Sequence, residues 1–315
     1  MPETLLVLDP GSLTTVQDLG RFGWQSLGVP LSGGLDSYAV RAGNLLVGNK
    51  QTAAVLEMTV TGTTLAVMRP ACLAVTGAQA TIKVNAQSKP PWQSFAVQPG
   101  DVLRIGQVVQ GCRMYLAAGG GIDVPVIMGS RSTAVDSGLG GYFGRSLHKG
   151  DMISISPPTN LPGPRAAPPG FIPEMPSHIS LRCLLGPQEN FFAHLQSTLL
   201  KSQYTVSARA DRRGVRLDGP AVEHVHDSPG RVLSEPSLPG NIQIPGDGQP
   251  IILLVEQTVG GYAKAATVIS SDLRRLAQAV PGTAVSLQAV SLQKAHQLLT
   301  DSRQRIRALE KELPL

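Results

Sequence analysis

A mainly β chain, built from many short strands joined by tight turns, is predicted on three observations. Glycine and proline are abundant, 34 and 25 of 315 residues, while charged residues make up only 16%; a helical bundle has the opposite balance. Between residues 53 and 118, apolar runs are punctuated by turn residues about every ten positions, the spacing of a sandwich or barrel. Finally, PGDVLRIG at 99–106 recurs as KGDMISIS at 149–156 and, more weakly, as PGTAVSLQ at 281–288. Each is a turn feeding a strand, which points to two related β units.

The length suits two domains of ordinary size. A hydrophobic content of 42% excludes a disordered chain, and no apolar run is long enough to span a bilayer. MPETLLVLDPGS has no basic region ahead of a sustained apolar stretch, so no signal peptide is expected and the cytoplasm is the expected compartment. Cys72, Cys112 and Cys183 are few, odd in number and far apart. They read as buried thiols, not as a disulfide framework or a zinc site. The net charge of +5 comes from scattered basic residues, which favours small anionic substrates and provides no nucleic-acid surface.

The first predicted unit, 1–156, opens on the strand LLVL and passes into a polar, glycine-rich loop. There Gln17, Asp18 and Arg21 place an amide, a carboxylate and a guanidinium close together; the loop is either self-satisfied, with Asp18 pairing Arg21 or capping a turn, or part of a site. Tyr38, Val40, Leu45 and Leu46 pattern a short helix capped by Asp36 and ended by Gly48. The strands AVLEMTV, TTLAVM, CLAVTG, ATIKVNA, SFAVQ, DVLRIGQ and CRMYLAA follow. Glu57, inside the first of them, is costly unless paired, so it is a structural partner or a site residue. The segment AAGGGIDVPVIMGSRSTAVDSGLGGYFGRSLHKG lacks the G-x-G-x-x-G fingerprint, and the chain has no Gly-Lys pair for a phosphate loop. Within it, Arg131 between Ser130 and Ser132 either offers a fork to a carboxylate or phosphate or forms a surface turn.

Residues 157–176 are proline-rich without periodicity, as in a linker. A second β unit is predicted over 177–290, beginning with ISLRCLLG and a helix-like NFFAHLQSTLL. His224 and His226 alternate beside Glu223 and Asp227, but no third metal ligand is nominated and the pair reads as surface. The stretch from Pro239 to Asp272 sets two buried strands, IILLVEQ and AATVIS, on either side of a joint carrying Gln257, Thr258, Gly260, Gly261, Tyr262 and Lys264. Its double glycine lets backbone approach backbone or ligand. A bulged hairpin, with Tyr262 and Lys264 covering a barrel rim, is the competing reading. On a continuous strand these two side chains share a face. The tail, 291–315, aligns Leu292, Ala295, Leu299, Ile306, Leu309 and Leu313 on one stripe of an amphipathic helix.

No G-x-S-x-G elbow, H-E-x-x-H helix or cysteine pair is present. The residues alone give a fold and a polar cleft without a reaction. Four motifs in order, PGSLTTVQDLGRFGWQSLGVPLSGGLDSYAVRAGNLLVGN, LEMTVTGTTL, AAGGGIDVPVIMGSRST and PGNIQIPGDGQPIILLVEQTVGGYAKAATVISSDL, resemble the allophanate hydrolase subunit 2 family. That family is similar to KipA, to the C-type component of 5-oxoprolinase and to half of the carboxyltransferase domain of urea carboxylase. The match runs from about Leu5 to about Leu287.

The resemblance implies two cyclophilin-like β-barrel units and a site completed by a partner subunit. By position it makes Lys264, Tyr262, Asp18 and Arg21 catalytic, and Gln17, Arg131, Gln257, Thr258, Gly260 and Gly261 substrate-binding, with no metal. This chain departs from the family pattern at QTVGGYAK, where Val259 replaces threonine and Ala263 proline, and at SEPSLPGNIQ and ADRRG. It carries neither a biotinyl Met-Lys-Met motif nor an amidase serine–lysine loop. The function implied first is a component of ATP-dependent 5-oxoprolinase, working with a KipI-like (B-type) and a LamB/YcsF-like (A-type) subunit. No cofactor is then expected on this chain alone, and ATP is used by the assembled complex. A carboxyltransferase component drawing on carboxybiotin, or a non-catalytic KipA-like regulator, are the alternatives.

Overall fold

Strands dominate both halves of the chain. The computed structural model describes residues 3–158, 163–175, 177–225 and 231–313. It divides into a first unit of Met1–Arg21, Ser32–Met175 and Gln304–Leu315, and a second of Phe22–Leu31 and Pro176–Arg303.

The first unit holds β1 (Glu3–Asp9), β2 (Thr14–Gln17), α1 (Ser37–Leu46), β3 (Val55–Thr59), β4 (Thr64–Val67), β5 (Ala71–Val84), β6 (Gln87–Lys89), β7 (Ser94–Val97), β8 (Val102–Ala118), β9 (Ile122–Asp123) and β10 (Met152–Ile155). They form one sheet along β2-β3-β8-β4-β1-β10-β9, with β5 also pairing β6, β7 and β8. Four of the expected strands merge into two: CLAVTG and ATIKVNA are one strand, β5, and DVLRIGQ and CRMYLAA are one strand, β8. The glycines that read as turns sit inside bends of this long pair, whose register slips between Gly77 and Ile82. Gly77, at φ 90°, is needed there because a Cβ would lie 2.3 Å from the Arg113 carbonyl.

α1 begins as expected, with the Asp36 carboxylate accepting from the Ala39 amide at 3.1 Å. Its apolar face packs in a core with Tyr115, Trp92 and the tail residues Ile306, Leu309 and Leu313. Glu57 is buried, and its Oε2 accepts from the Leu35 amide at 2.9 Å; it thereby anchors the loop entering α1. Beside it the Tyr115 phenol accepts from the Asp36 amide, and burial drives its pKa well above the ordinary value. Part of the proline-rich segment is laid against this unit at Arg165 and Ala167: Ala167 donates to the Trp92 carbonyl and Ser94 to that of Arg165, at 2.9 and 2.8 Å.

The second unit holds β11 (His178–Leu185), α2 (Leu195–Leu199), β12 (Gln203–Ala210), β13 (Gly214–Asp218), β14 (Arg231–Pro236), β15 (Asn241–Gln243), β16 (Ile251–Leu253), β17 (Val259–Tyr262), β18 (Lys264–Val268), α3 (Leu273–Ala277) and β19 (Ala284–Ala289). Seven strands close a barrel in the order β11-β18-β15-β16-β13-β12-β19, sealed by the parallel β11–β19 pair, while β14 and β17 form a separate ribbon. The helix expected over NFFAHLQSTLL shortens to α2, preceded by a 3-10 turn at Glu189–Phe191. His194, at φ 51°, interrupts it. The tail helix forms as α4 (Leu292–Glu312), and the division between units falls within it.

The recurring sequence corresponds to a recurring turn. Gly100, Gly150 and Gly282 have φ of 90°, 94° and 86°. In each case the next residue bonds back three positions through its amide: Asp101 to Gln98, Asp151 to His148, Thr283 to Val280, at 3.0, 3.1 and 2.9 Å. Its side chain accepts the amide of that same earlier residue, at 2.8, 2.7 and 3.1 Å. Threonine standing in for aspartate explains why the third copy is the weakest in sequence.

Candidate functional site

In the first unit, two segments far apart in sequence form a clasp around one carboxylate. Asp18 Oδ1 accepts from the Gly20 amide at 2.8 Å and from the Ser130 and Ser132 hydroxyls at 2.7 and 2.5 Å, while Oδ2 accepts from the Arg131 amide at 2.6 Å. Ser132 also accepts from the Asp18 amide at 3.0 Å. Gln17, fully buried, donates to Thr15 Oγ1 and the Thr133 carbonyl and accepts from the Gly33 amide. Both oxygens of Asp18 are thus occupied by donors of its own chain, an arrangement that holds a loop in shape.

Arg21 is buried beside it. Its Nε donates to the Ile127 carbonyl at 3.1 Å and its Nη2 to that of Ser132 at 2.7 Å, while Nη1 has no partner among the described residues. Burial pushes the guanidinium below its ordinary pKa, partly opposed by Asp18. Arg131 donates through Nε to the Val124 carbonyl at 2.9 Å and pairs with Asp123 at 3.5 Å, its side chain remaining 37% exposed. Arg131 is therefore the part of the clasp that reaches solvent, its guanidinium held by Val124 and Asp123.

The other six nominated residues lie in the second unit. The joint is not one continuous strand: β17 pairs with β14 in the ribbon, Ala263 is buried between, and β18 pairs with β15 in the barrel. The simple alternation that would put Tyr262 and Lys264 on one face is therefore broken. Tyr262 lies opposite Arg231, whose guanidinium is 5.9 Å from the ring centroid. Lys264 is 7% exposed; its Nζ donates to the Pro236 carbonyl at 2.8 Å and pairs with Glu235 at 2.9 Å, and its amide donates to Gln188 Oε1 at 3.0 Å. Gln257 Nε2 donates to the Val259 carbonyl at 2.5 Å, and the Thr258 carbonyl accepts from the Ser237 amide at 2.9 Å. Gly260 faces Glu235, and a Cβ on it would lie 2.4 Å from Gln243 Nε2.

Reasoning from residue patterns missed Glu235, Ser237 and Gln243, although all three stand in SEPSLPGNIQ, one of the places where the chain departs from the family pattern. It also missed the Arg212–Glu256 ion pair, 2.6 Å long and buried at the start of the joint. His224 packs on Phe192, ring centroids 4.9 Å apart, with Nε2 3.3 Å from the Pro245 carbonyl, and His226 lies outside the described residues. Among the described residues no three His, Cys, Asp or Glu side chains gather as for a metal ion, and no helix is long and apolar enough to cross a membrane. The three cysteines are free, and burial raises the Cys183 thiol to about 11.

Residues 27–289 match the family model described as carboxyltransferase domain, subdomain A and B. The C-type 5-oxoprolinase subunit of Escherichia coli (strain K12) is 34% identical over 293 residues, spanning 92% of this chain and 93% of that protein. The urea amidolyase of Lachancea kluyveri is 33% identical over 96% of this chain, but the chain spans only 18% of that protein. Among solved structures, the Kluyveromyces lactis urea carboxylase superposes with a TM-score of 0.91 at 31% identity, covering 100% of this chain and 30% of its own.

Proposed function

The chain belongs to the carboxyltransferase-domain family, subdomains A and B, and from that premise we propose that it is the C-type component of an ATP-dependent 5-oxoprolinase. It opens the lactam of 5-oxoproline to glutamate only together with a KipI-like and a LamB/YcsF-like subunit, in the cytoplasm. The observation that carries this reading is the end-to-end likeness to the C-type 5-oxoprolinase subunit of Escherichia coli, 92% of one chain on 93% of the other. Lactam opening places negative charge on the carbonyl oxygen. Stabilising it calls for preorganised cations and amides in a site shielded from water. Lys264, held between Glu235 and the Pro236 carbonyl, is the cation best placed in the second unit to provide this. In the first unit, Arg131 is the cation of the Asp18 clasp whose side chain reaches solvent. The chain has no nucleotide loop, so ATP use belongs to the assembly.

The test is reconstitution from separately purified subunits with 5-oxoproline and ATP. Glutamate and phosphate should form only when all components are present. ATP-coupled turnover by this chain alone would overturn that division of labour. A second reading, transfer of a carboxyl group from carboxybiotin to a small amide, is favoured by the full-length superposition on urea carboxylase. It predicts instead carboxylation in the presence of a biotin carboxylase and its carrier.

A further inference from the structure

Beneath the joint, the second unit buries polar groups that no described residue satisfies. Gln243 is 3% exposed and its Nε2 has no hydrogen-bond partner among the described residues; Ser237 is 1% exposed and its Oγ is likewise unpartnered. Folded proteins leave few such atoms, because each costs the loss of its hydration with nothing in exchange. These two border the same feature. Ser237 binds the joint through its amide to Thr258, and Gln243 lies directly opposite Lys264 where the β15–β18 register slips. Gly260 closes over the Gln243 amide, with room for a hydrogen atom and none for a Cβ, which would sit 2.4 Å from Nε2 and 3.2 Å from Oε1. Its absent side chain leaves the amide in place.

We propose that Gln243 and Ser237 form, with Lys264, a recognition site for a carbonyl or carboxylate oxygen of a small planar molecule, the ligand supplying the acceptor that the fold withholds. An amide N–H, a hydroxyl and an ammonium are three donors of different reach, suited to an oxygen that carries partial or full negative charge. The assignment of that oxygen to a lactam rests on the 5-oxoprolinase reading; the site itself does not. Gly260 then belongs to the site through the space it leaves.

The experiment uses the full chain with its KipI-like partner, labelled with nitrogen-15. The Gln243 side-chain amide signal is identified by its loss in Gln243→Met, and the sample is titrated with 5-oxoproline and, separately, with urea. The signal should shift with at least one probe. Binding of that probe should weaken at least tenfold in Gln243→Met and in Ser237→Ala, while the unfolding midpoint of Gln243→Met stays level or rises, since an unpartnered amide has been exchanged for an apolar group of similar shape. A signal unmoved by both probes, or a Gln243→Met variant that binds like the parent, would overturn the site. A shift with urea and none with 5-oxoproline supports the site and removes the lactam reading. Unaltered 5-oxoproline turnover in Gln243→Met does the reverse.

Discussion

Lys264 in the second unit and Asp18 in the first show how differently two candidate charged side chains are held. The Lys264 ammonium is buried but its partner Glu235 keeps a side chain 39% exposed, so the attraction between them is partly screened. Lys264→Met retains the stem and frees Glu235 to turn to water. Its unfolding free energy should fall by no more than about 1 kcal/mol, whereas turnover of the assembled complex should fall roughly ten- to a hundredfold, the loss of about 1.4–2.7 kcal/mol of transition-state stabilisation. Kinetics on the reconstituted complex and a melting curve on the same sample separate the two. If turnover matches the parent, Lys264 only covers a barrel rim. Asp18 is the opposite case, because truncation strands four donors at once. Asp18→Ala should lower stability by roughly 2–4 kcal/mol in a denaturant titration, and a midpoint equal to the parent's would show the clasp to be dispensable. Each half of that clasp was legible as a polar cluster. Their union was not, because hydrogen bonds between residues 112 positions apart leave no local pattern. Glu235 and Gln243 escaped for another reason: polar residues beside prolines and glycines look like ordinary turn chemistry.

Among the elements, the repeated turn was the most readable, since its glycine and its capping side chain are fixed by backbone geometry. Its second copy carries a titratable consequence. The side-chain bonds of Arg145, at 2.7 and 2.9 Å, hold the Asp151 carboxyl below its ordinary range, helped by the His148 amide and opposed by burial. A carboxyl depressed in the folded state stabilises above its unfolded value, about 3.9, and that stability is lost as pH falls through the folded value. Asp151→Asn should therefore melt below the parent at pH 7, and the two curves should converge as pH falls below about 4. Parallel curves down to pH 2 would exclude Asp151 as a source of acid sensitivity. Where elements were misread, the cause was tertiary. Gly77 looks like a strand end because it needs a left-handed backbone, yet β5 continues through it on the support of β8. Tyr262 and Lys264 look like neighbours on one strand face, yet the pairing passes from ribbon to barrel between them.

For the whole molecule, the tail helix was visible as a stripe, but a stripe does not say which core it enters. Ile306, Leu309 and Leu313 enter that of the first unit, beside Leu45, Leu46 and Tyr115. Leu309 is fully buried, so Leu309→Ala should cost about 2–5 kcal/mol and lower the midpoint by roughly 5–15 °C; a change under about 2 °C would place the helix outside the core. The same helix bears on the order in which the protein is made. A ribosome delivers residues 32–175 first and the segment from Gln304 onward only after residues 176–303 have emerged. At about 5–20 residues per second that interval lasts roughly 6–25 s. Throughout it the core beside Leu45 and Leu46 lacks the layer that Ile306, Leu309 and Leu313 supply, so the first unit completes its packing only after the second has been synthesised.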